Sequence, residues 1–560
     1  MPSSTVDLSS SDLFRHHYEA DPRDEHLERS YHRARAIGRH WRLTLDDIVN
    51  LTPKFWRIFT DGIILRDTVA HIIFTMQCNL VAGTIAPFVL KRPDLEPLMK
   101  QLLHFDVVSS YMLNEVGHGC DARNIETTAT WQSDGGFILN TPSPSARKFM
   151  PPAIPVAGIP RVAVVFAQLR VKEEDRGIRP FVVPLHDGRK MYQGVKTWRL
   201  PKISSGQVLH HDLTSFNHVH LPSTALLGDL EPPANMRDQY LRSISRLVVG
   251  ALAMSMWVVP FLKCAVYVVG KYSQQRTVQQ GLHGERVPII TFRTQQLPIA
   301  HALAEAAVLE PFADWIATQH TSPSTSPAVK HGFSVILKVV LLQNGRGSLN
   351  ELIERSGAQG MLPDNKLIEL ETLTRMVGIA EGEVLVLSIR FATELLLGRY
   401  SIPKAQDPSS LLAQHEAGLF GELRQLQQSI KDHRGQEYNQ YILPQCRSII
   451  LAIGQRMAYE AAVDRGVDRD LLALYEAGAL KSDSSWYVEQ LGLSRAAQFD
   501  KERQACDAIM SQVDRHLDSL DIEPYCTAPM LSSSRWERFV DAAPLYTGDA
   551  DFNEHRDSKL

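Results

Sequence analysis

The sequence predicts an α+β protein that is mostly α-helical, with its β-strands gathered in one part of the chain. Apolar residues recur at helical spacing from residue 43 to residue 103. From about residue 112 the pattern changes to short β-like runs separated by turns, and after residue 236 the helical spacing returns. The pattern by itself supports only this segregated α+β class. A chain of 560 residues exceeds one hydrophobic core, so we expect roughly two to four domains.

The N-terminal part is predicted to be polar at first and then helical. Residues 1–30 are predicted to form a polar, loosely ordered segment, and residues 31–111 a helical domain. Within that domain, Thr44 or Asp46 is placed to cap a helix. Residues 68–88 are apolar along their length and predict a second, long helix.

Residues 112–228 are predicted to form a β domain. The tripeptide Asp134-Gly135-Gly136, followed by three apolar residues, indicates the turn of a hairpin. Residues 162–169 and 179–184 are predicted to be buried strands because they are apolar runs of strand length bounded by turn residues.

Two helical regions are predicted to follow, at residues 229–402 and 403–545, with a tail at residues 546–560. Their boundary falls between residues 400 and 410, where two prolines interrupt the pattern. The apolar run at residues 247–270 is long enough to cross a membrane. Pro260 and Lys263 interrupt it, so we predict a buried helix pair and no membrane span.

The composition is that of a globular enzyme and disfavours several other classes. A net charge of −4 and the lack of a long basic run disfavour nucleic-acid binding. The six cysteines are scattered without a Cys-x-x-Cys pair, which predicts free thiols. Four histidines lie between residues 210 and 220, and we interpret them as a solvated face of the β domain and predict no metal site.

The chain ends in Ser558-Lys559-Leu560, the tripeptide that the peroxisomal import receptor binds. The residues before it are polar, which predicts an exposed tail. The sequence therefore predicts a peroxisomal protein.

The most informative motif is Asn-Glu-Val-Gly-His-Gly at residues 114–119, followed by Glu-Thr-Thr-Ala-Thr at residues 126–130. Its Gly-x-Gly step lets the backbone approach a ligand, and the β-branched residues start a strand. The motif resembles the segment that covers FAD in the acyl-CoA oxidases, the peroxisomal branch of the acyl-CoA dehydrogenase superfamily. The resemblance extends over roughly residues 40–540. It implies an N-terminal helical domain, a β-barrel-like middle domain, a C-terminal helical bundle and a second helical domain.

The same resemblance implies that Asn114, Gly117, Phe149 and Pro152 bind FAD. Asn114 stands where the family has Thr, although an Asn amide still donates hydrogen bonds. Pro152 stands where the family has Gly, so the backbone N–H is missing. His118 is interpreted either as a ligand contact or as packing within the turn.

Further positions match segments that hold the cofactor in the family. Arg276 resembles the Arg on the pyrophosphate, a role that suits a guanidinium fork. Gln296 matches a Gln that meets the cofactor of the neighbouring subunit, so a homodimer is implied, whereas Arg293 replaces another Gln. Gly357 and Gly360 resemble a turn near the flavin. Without the resemblance, this turn would be interpreted as a helix C-cap and Arg276 as a surface residue.

Glu381 matches the catalytic base of the superfamily, with Ala380 in place of an aromatic residue. A base for a weakly acidic C–H needs a desolvated carboxylate. Taken alone, Glu381 would be interpreted as an exposed carboxylate at a helix start. Glu383 is the second candidate.

These expectations combine into an FAD-dependent enzyme that desaturates an acyl-CoA thioester and passes electrons to molecular oxygen, yielding hydrogen peroxide. The altered positions at residues 114, 152, 293 and 380 keep two alternatives open. One is a specialised flavin oxidase or dehydrogenase for an unusual acyl or non-CoA substrate. The other is a scaffold that binds acyl-CoA without turnover.

Overall fold

The computed structural model describes residues 5–15, 23–119, 121–201, 209–280, 284–430 and 432–548. It is mostly α-helical, with nearly all strands between residues 108 and 221, which confirms the predicted class. The terminal tripeptide at residues 558–560 and Cys120 lie outside the described residues.

The N-terminal helices pack around aromatic and branched aliphatic side chains. A hydroxyl and a carboxylate fix the start of α3, because Thr44 and Asp47 each bond the backbone N–H of the other, and this identifies Thr44 as the predicted cap. A π-helical segment, Met76–Val81, joins α5 to α6 within the predicted long helix. The helices are α1 (Val6–Ser9), α2 (Arg23–Trp41), α3 (Leu45–Asn50), α4 (Pro53–Arg57), α5 (Thr68–Thr75), α6 (Ala82–Val89) and α7 (Glu96–His104).

The β region contains one six-stranded and one three-stranded sheet. The strands are β1 (Val108–Met112), β2 (Thr128–Trp131), β3 (Phe137–Asn140), β4 (Lys148–Met150), β5 (Arg161–Val171), β6 (Glu174–His186), β7 (Val195–Arg199), β8 (Asp212–Phe216) and β9 (Val219–Leu221). Strand β5 pairs in parallel with β1 and then β2 along one edge, and antiparallel with β6 along the other. The second sheet has the order β4-β8-β7. The predicted hairpin is present as β2–β3.

The helical regions that follow share one hydrophobic core with the N-terminal helices. The helices are α8 (Met236–Ser243), α9 (Arg246–Met256), α10 (Val258–Gln275), α11 (Arg293–Thr321), α12 (Pro327–Arg355), α13 (Ala358–Met361), α14 (Leu367–Ile379), α15 (Val384–Leu396), α16 (Leu411–Ser429), α17 (Gln436–Tyr441), α18 (Cys446–Asp464), α19 (Arg469–Ser482), α20 (Ser484–Leu491), α21 (Arg495–Met510), α22 (Val513–Asp518) and α23 (Ser533–Asp541). The buried pair α9–α10 confirms the helix pair predicted at residues 247–270.

Three expectations from the sequence are corrected. The boundary after residue 30 falls inside α2, because helical spacing continues upstream through polar residues. The boundary at residue 112 falls inside β1, which begins at Val108. An antiparallel hairpin, β10 (Thr277–Gln280) with β11 (Glu285–Pro288), interrupts the helical region predicted at residues 229–402.

Two helical stretches, Thr68–Val89 and Met236–Gln275, are long and apolar enough to cross a membrane. Of the most apolar window of each, 78% and 83% is buried inside the protein. Core helices of large proteins satisfy the same criterion, so the stretches are weak support for a membrane span.

The described cysteines are all free and buried, as predicted. The nearest pair, Cys264 and Cys526, has its sulfur atoms 3.7 Å apart, too far for a bond.

Candidate active site

A buried ion pair holds the first motif in place. Lys148 and Glu115 are both inaccessible to solvent, and their charged groups lie 2.9 Å apart. The Glu115 carboxylate also accepts the backbone N–H groups of Glu126 and Thr127. Burial lowers the pKa of Lys148 to about 8, against the opposing effect of Glu115. The pair therefore fixes the end of β1 against β4 and leaves neighbouring side chains to face outward.

Those outward side chains form an open face with polar and aromatic character. Asn114 is exposed, and its amide makes no hydrogen bond to any described residue. Its carbonyl accepts the backbone N–H of Phe149 at 3.0 Å, and the Phe149 side chain remains 39% exposed. An amide donor beside an aromatic ring is suited to a flat heteroaromatic ligand.

The turn of the motif is closely packed. Gly117 donates its N–H to the Ser145 carbonyl, and a Cβ at Gly117 would lie 2.9 Å from the Ser145 Cβ. His118 turns toward Glu126, with 3.0 Å between ring nitrogen and carboxylate. The structure therefore favours the packing interpretation of His118. Glu115, His118 and Glu126 lie near one another, but both oxygens of Glu115 are already engaged, so a metal site is not supported.

Pro152 is buried, behind the open face. Its carbonyl accepts a short hydrogen bond from Ser110. The next two backbone N–H groups, at residues 153 and 154, donate to Asp212 at 2.5 and 3.2 Å. Burial raises the pKa of Asp212 above its usual range. The segment is thus anchored from its inner side, and contact between Pro152 and a cofactor stays a prediction.

The interpretation of the histidines at residues 210–220 is partly wrong. His218 and His220 are exposed, as expected for a solvated face. His210 is fully buried because it packs beside the buried Asp212 at the start of β8, with a ring nitrogen 3.3 Å from the carboxylate.

Glu381 occupies the turn between α14 and α15 in a left-handed backbone conformation with φ of 55°. Its Oε2 is buried and has no hydrogen-bond partner among the described residues. The carboxylate lies against Gly250 of α9, where a Cβ would overlap it. Burial raises the pKa of Glu381 to about 8, with Lys338 opposing the shift. This is the desolvated carboxylate that proton abstraction requires.

The surroundings of Glu381 connect it to the first motif. Burial, and next the Glu381 carboxylate, raise the pKa of Tyr111 well above its usual value. Tyr111 lies on β1, three residues before Asn114, and its hydroxyl is buried without a hydrogen-bond partner among the described residues. Tyr111 is thus within electrostatic range of the Glu381 carboxylate, on the strand that leads into the first motif.

Glu383 has a structural role as a helix cap. Its carboxylate accepts the backbone N–H groups of Leu385 and Val386 at 3.0 and 2.9 Å, which caps α15. The helix-start role that the sequence allowed for Glu381 therefore belongs to Glu383.

A separate groove of about 640 Å³ contains Arg276 and the glycine turn. Gly357 has φ of 59°, which a side chain would oppose, and it lines the groove with its N–H bonded to the Glu354 carbonyl. The Arg276 side chain is exposed and makes no hydrogen bond to any described residue. The lining residues are Tyr272, Gln275, Arg276, Ser356, Gly357, Ala358, Gln359, Met530, Ser532, Ser533, Trp536 and Glu537.

Other predicted cofactor residues lie outside this lining. Gly360 is buried behind the turn, close to the Ile353 carbonyl. Gln296 is half-buried at the start of α11, whereas its neighbour Gln295 bonds Ser273 and the Arg355 carbonyl, behind the groove. A cofactor contact of Gln296 stays a prediction.

In comparisons with known proteins, the chain is similar to acyl-CoA oxidases. Acyl-coenzyme A oxidase acox-1.3 of Caenorhabditis elegans is 25% identical over 305 residues, which are 51% of this chain and 43% of that protein. Peroxisomal acyl-coenzyme A oxidase 1 of Arabidopsis thaliana is 25% identical over 322 residues, 52% of this chain and 46% of that protein. The chain thus matches less than half the length of these curated relatives. No protein-family model matches.

Solved structures extend the likeness over nearly the whole chain. The acyl-CoA oxidase 3 structure from Yarrowia lipolytica has a TM-score of 0.82 at 17% identity, covering 98% of this chain and 90% of that one. Acyl-CoA oxidase-2 of Caenorhabditis elegans, bound with FAD, ascaroside-CoA and ATP, has a TM-score of 0.71 at 17% identity, covering 96% and 95%. This chain is a divergent relative of the acyl-CoA oxidases and has their fold.

The acyl-CoA oxidase resemblance did not point to all the residues that build the site. Gly250, Lys338 and Tyr111 surround Glu381 from three other elements, and their roles depend on contacts between segments far apart in sequence. A glycine inside the apolar run at residues 247–270 was the only local signal, because glycine is unfavourable in a helix without a packing reason.

Proposed function

We propose that this chain is an FAD-dependent oxidoreductase that removes hydrogen from the α and β carbons of an acyl-CoA thioester and passes the electrons to oxygen, yielding hydrogen peroxide. The observation that carries the proposal is Glu381, whose Oε2 is buried without a hydrogen-bond partner among the described residues and whose pKa burial raises to about 8. The acyl-CoA oxidase fold and the residues that match the family at Gly117 and Arg276 support the same conclusion.

The residues present fit FAD in two places. The exposed amide of Asn114 and the ring of Phe149 suit a flat heteroaromatic system, and Arg276 in the open groove suits a pyrophosphate. When bound, FAD supplies the acceptor for the β-hydride and the route for electrons to oxygen.

In this proposal Glu381 takes the α-proton of the thioester. The carboxylate must be ionised to act, and its pKa of about 8 makes it a stronger base than an ordinary glutamate. The proton stays at Glu381, whose Oε2 is buried and whose carboxyl group lies against Gly250 of α9. We expect the rate of flavin reduction to rise with pH up to about 8, since only the ionised form accepts the proton.

The cellular setting is part of the proposal. Ser558, Lys559 and Leu560 match the peroxisomal import signal, and a curated relative is named peroxisomal. We also propose a homodimer, because in the family the groups corresponding to Arg276 and Gln296 reach the FAD of the neighbouring subunit.

The test is the visible spectrum of the purified protein before and after anaerobic addition of an acyl-CoA series. We expect oxidised flavin bands that one chain-length class bleaches and that return with peroxide when air is admitted. Glu381→Gln is expected to keep the flavin and lose its reduction by at least about 1,000-fold, because the amide accepts no proton at this pH. Normal reduction in this variant would refute the role of Glu381.

Two other outcomes support the alternative functions. Flavin that no acyl-CoA bleaches would indicate a specialised oxidase or dehydrogenase for another substrate. Protein that binds no flavin even after reconstitution with FAD would favour a scaffold without turnover.

A further inference from the structure

The groove around Arg276 has a third wall that the sequence motifs do not include. Two walls are the end of α10 and the turn at residues 356–359, which the family resemblance already connects to a cofactor. The third is the C-terminal segment Met530–Glu537, which contributes Met530, Ser532, Ser533, Trp536 and Glu537. The segment contains the start of α23, the last helix of the described chain.

Directional hydrogen bonds fix this segment to the other two walls. Gln275 donates its side-chain N–H to the Leu531 carbonyl at 2.8 Å. Asn365 is fully buried and bridges the turn and the segment, because its amide donates to Gln359 and its oxygen accepts the Met530 N–H at 3.0 Å. The position of the third wall is therefore set relative to the turn and to Arg276.

The chemistry of the three walls is complementary. Arg276 offers a guanidinium that no described residue engages, and the exposed Gly357 beside it carries no side chain that would crowd a ligand. Trp536 adds a half-buried indole that packs on Phe539, with ring centroids 5.4 Å apart. The guanidinium of Arg276 can bind a diphosphate, and the indole of Trp536 can stack on a planar base. Together these two groups are suited to an adenine nucleotide. The volume of about 640 Å³ is in the range of small-molecule sites.

We propose that the segment Met530–Glu537 is part of the cofactor site, and that Trp536 stacks on the adenine of the dinucleotide whose diphosphate Arg276 binds. The proposal rests on the proposed function, because it assigns the adenine end of the cofactor named there. It adds a binding residue from a part of the chain to which no cofactor role is attached.

The experiment measures dissociation constants of FAD and of ADP alone, by fluorescence titration of the full-length apoprotein. Trp536→Leu removes the aromatic face and is expected to weaken both ligands about ten-fold, whereas Trp536→Phe retains most of the affinity. Arg538→Ala is the matched control, since Arg538 lies on the same helix but lines a different groove, and we expect no change. Thermal unfolding of each apoprotein checks that the variants fold.

The outcomes separate this proposal from the proposed function. If the wild type binds FAD and Trp536→Leu binds FAD and ADP as tightly, Trp536 is not part of the site and the proposal is overturned. If Trp536→Leu does not fold, two other measurements test the proposal: the affinity of Trp536→Phe for FAD and ADP, and the quenching of Trp fluorescence by ADP in the wild type. The absence of quenching would overturn the proposal. If the wild type binds ADP through Trp536 but no flavin, the groove is an adenine-nucleotide site, and both the flavoenzyme function and the assignment of the groove to the dinucleotide are overturned.

Discussion

Replacing Gly250 with alanine tests how tightly the carboxylate of Glu381 is held. Gly250 lies inside α9, where alanine ordinarily stabilises a helix by about 1 kcal/mol relative to glycine. At this position, however, the new Cβ would overlap the Glu381 carboxyl group, with all three of its atoms closer than any real Cβ contact. Overpacking of this kind costs about 1–3 kcal/mol. We therefore expect Gly250→Ala to destabilise the protein, reversing the sign that helix propensity predicts.

A control and a second background make the measurement specific. Gly347 lies inside α12 with nothing within 4 Å of a Cβ, so Gly347→Ala is expected to stabilise. Both variants gain the same helix propensity, so urea unfolding should place them apart by the overpacking cost, about 1–3 kcal/mol. In a Glu381→Ala background the obstacle is gone, and Gly250→Ala should then be neutral or stabilising. Equal stability of the two alanine variants, or the same penalty without the carboxylate, would refute the placement of Glu381 against α9.

Two further predictions follow from buried charges. The raised pKa of Glu381 means that the folded state keeps a proton that the unfolded state releases, so wild-type stability should fall as pH rises from about 4.5 to about 8 and then level off. Glu381→Gln should lack this slope and be a few kcal/mol more stable than the wild type at pH 8–9, since one pKa unit corresponds to about 1.4 kcal/mol. The measurement is urea unfolding at pH 5–9. Stability profiles that superimpose for the two proteins would contradict the prediction. Lys148→Met should lower the free energy of unfolding by about 3–5 kcal/mol because it leaves Glu115 buried and unpaired. Arg293→Gln breaks the exposed pair with Asp507 and should change the free energy of unfolding by less than about 1 kcal/mol. Similar unfolding midpoints for the two variants would show that burial does not determine how much these ion pairs stabilise the protein.

The sequence predicts the arrangement of helices and strands well where the signal is local. The hairpin β2–β3 follows from two glycines between short β-like runs, and the α9–α10 pair from an apolar run broken by a proline. Thr44 caps α3 because its hydroxyl and the Asp47 carboxylate are three residues apart. In each of these cases, neighbours in sequence decide the structure.

Features set by distant contacts could not be predicted in the same way. His210 is buried beside Asp212, whose carboxylate is held by backbone N–H groups about sixty residues earlier in the chain, at residues 153 and 154. The third wall of the Arg276 groove depends on Asn365, which joins residues 359 and 530. Neither Asn365 nor Trp536 belongs to a motif, so their positions became visible only in the folded chain.

Glu381 and Glu383 have the same side chain but differ in the hydrogen bonds that their carboxylates accept from the backbone. Both precede α15, and the carboxylate of Glu383 accepts hydrogen bonds from two backbone N–H groups at the helix start.

Lys338 is the nearest cation to Glu381, yet its ammonium donates to the carbonyls of Ala380 and Gly382, both at 2.7 Å, on either side of that residue. The lysine thereby holds the left-handed turn without giving the carboxylate a hydrogen bond. A direct ion pair would lower the pKa of Glu381 and weaken it as a base. The same cation thus fixes the turn that carries the proposed base, while the pKa of Glu381 stays raised by burial.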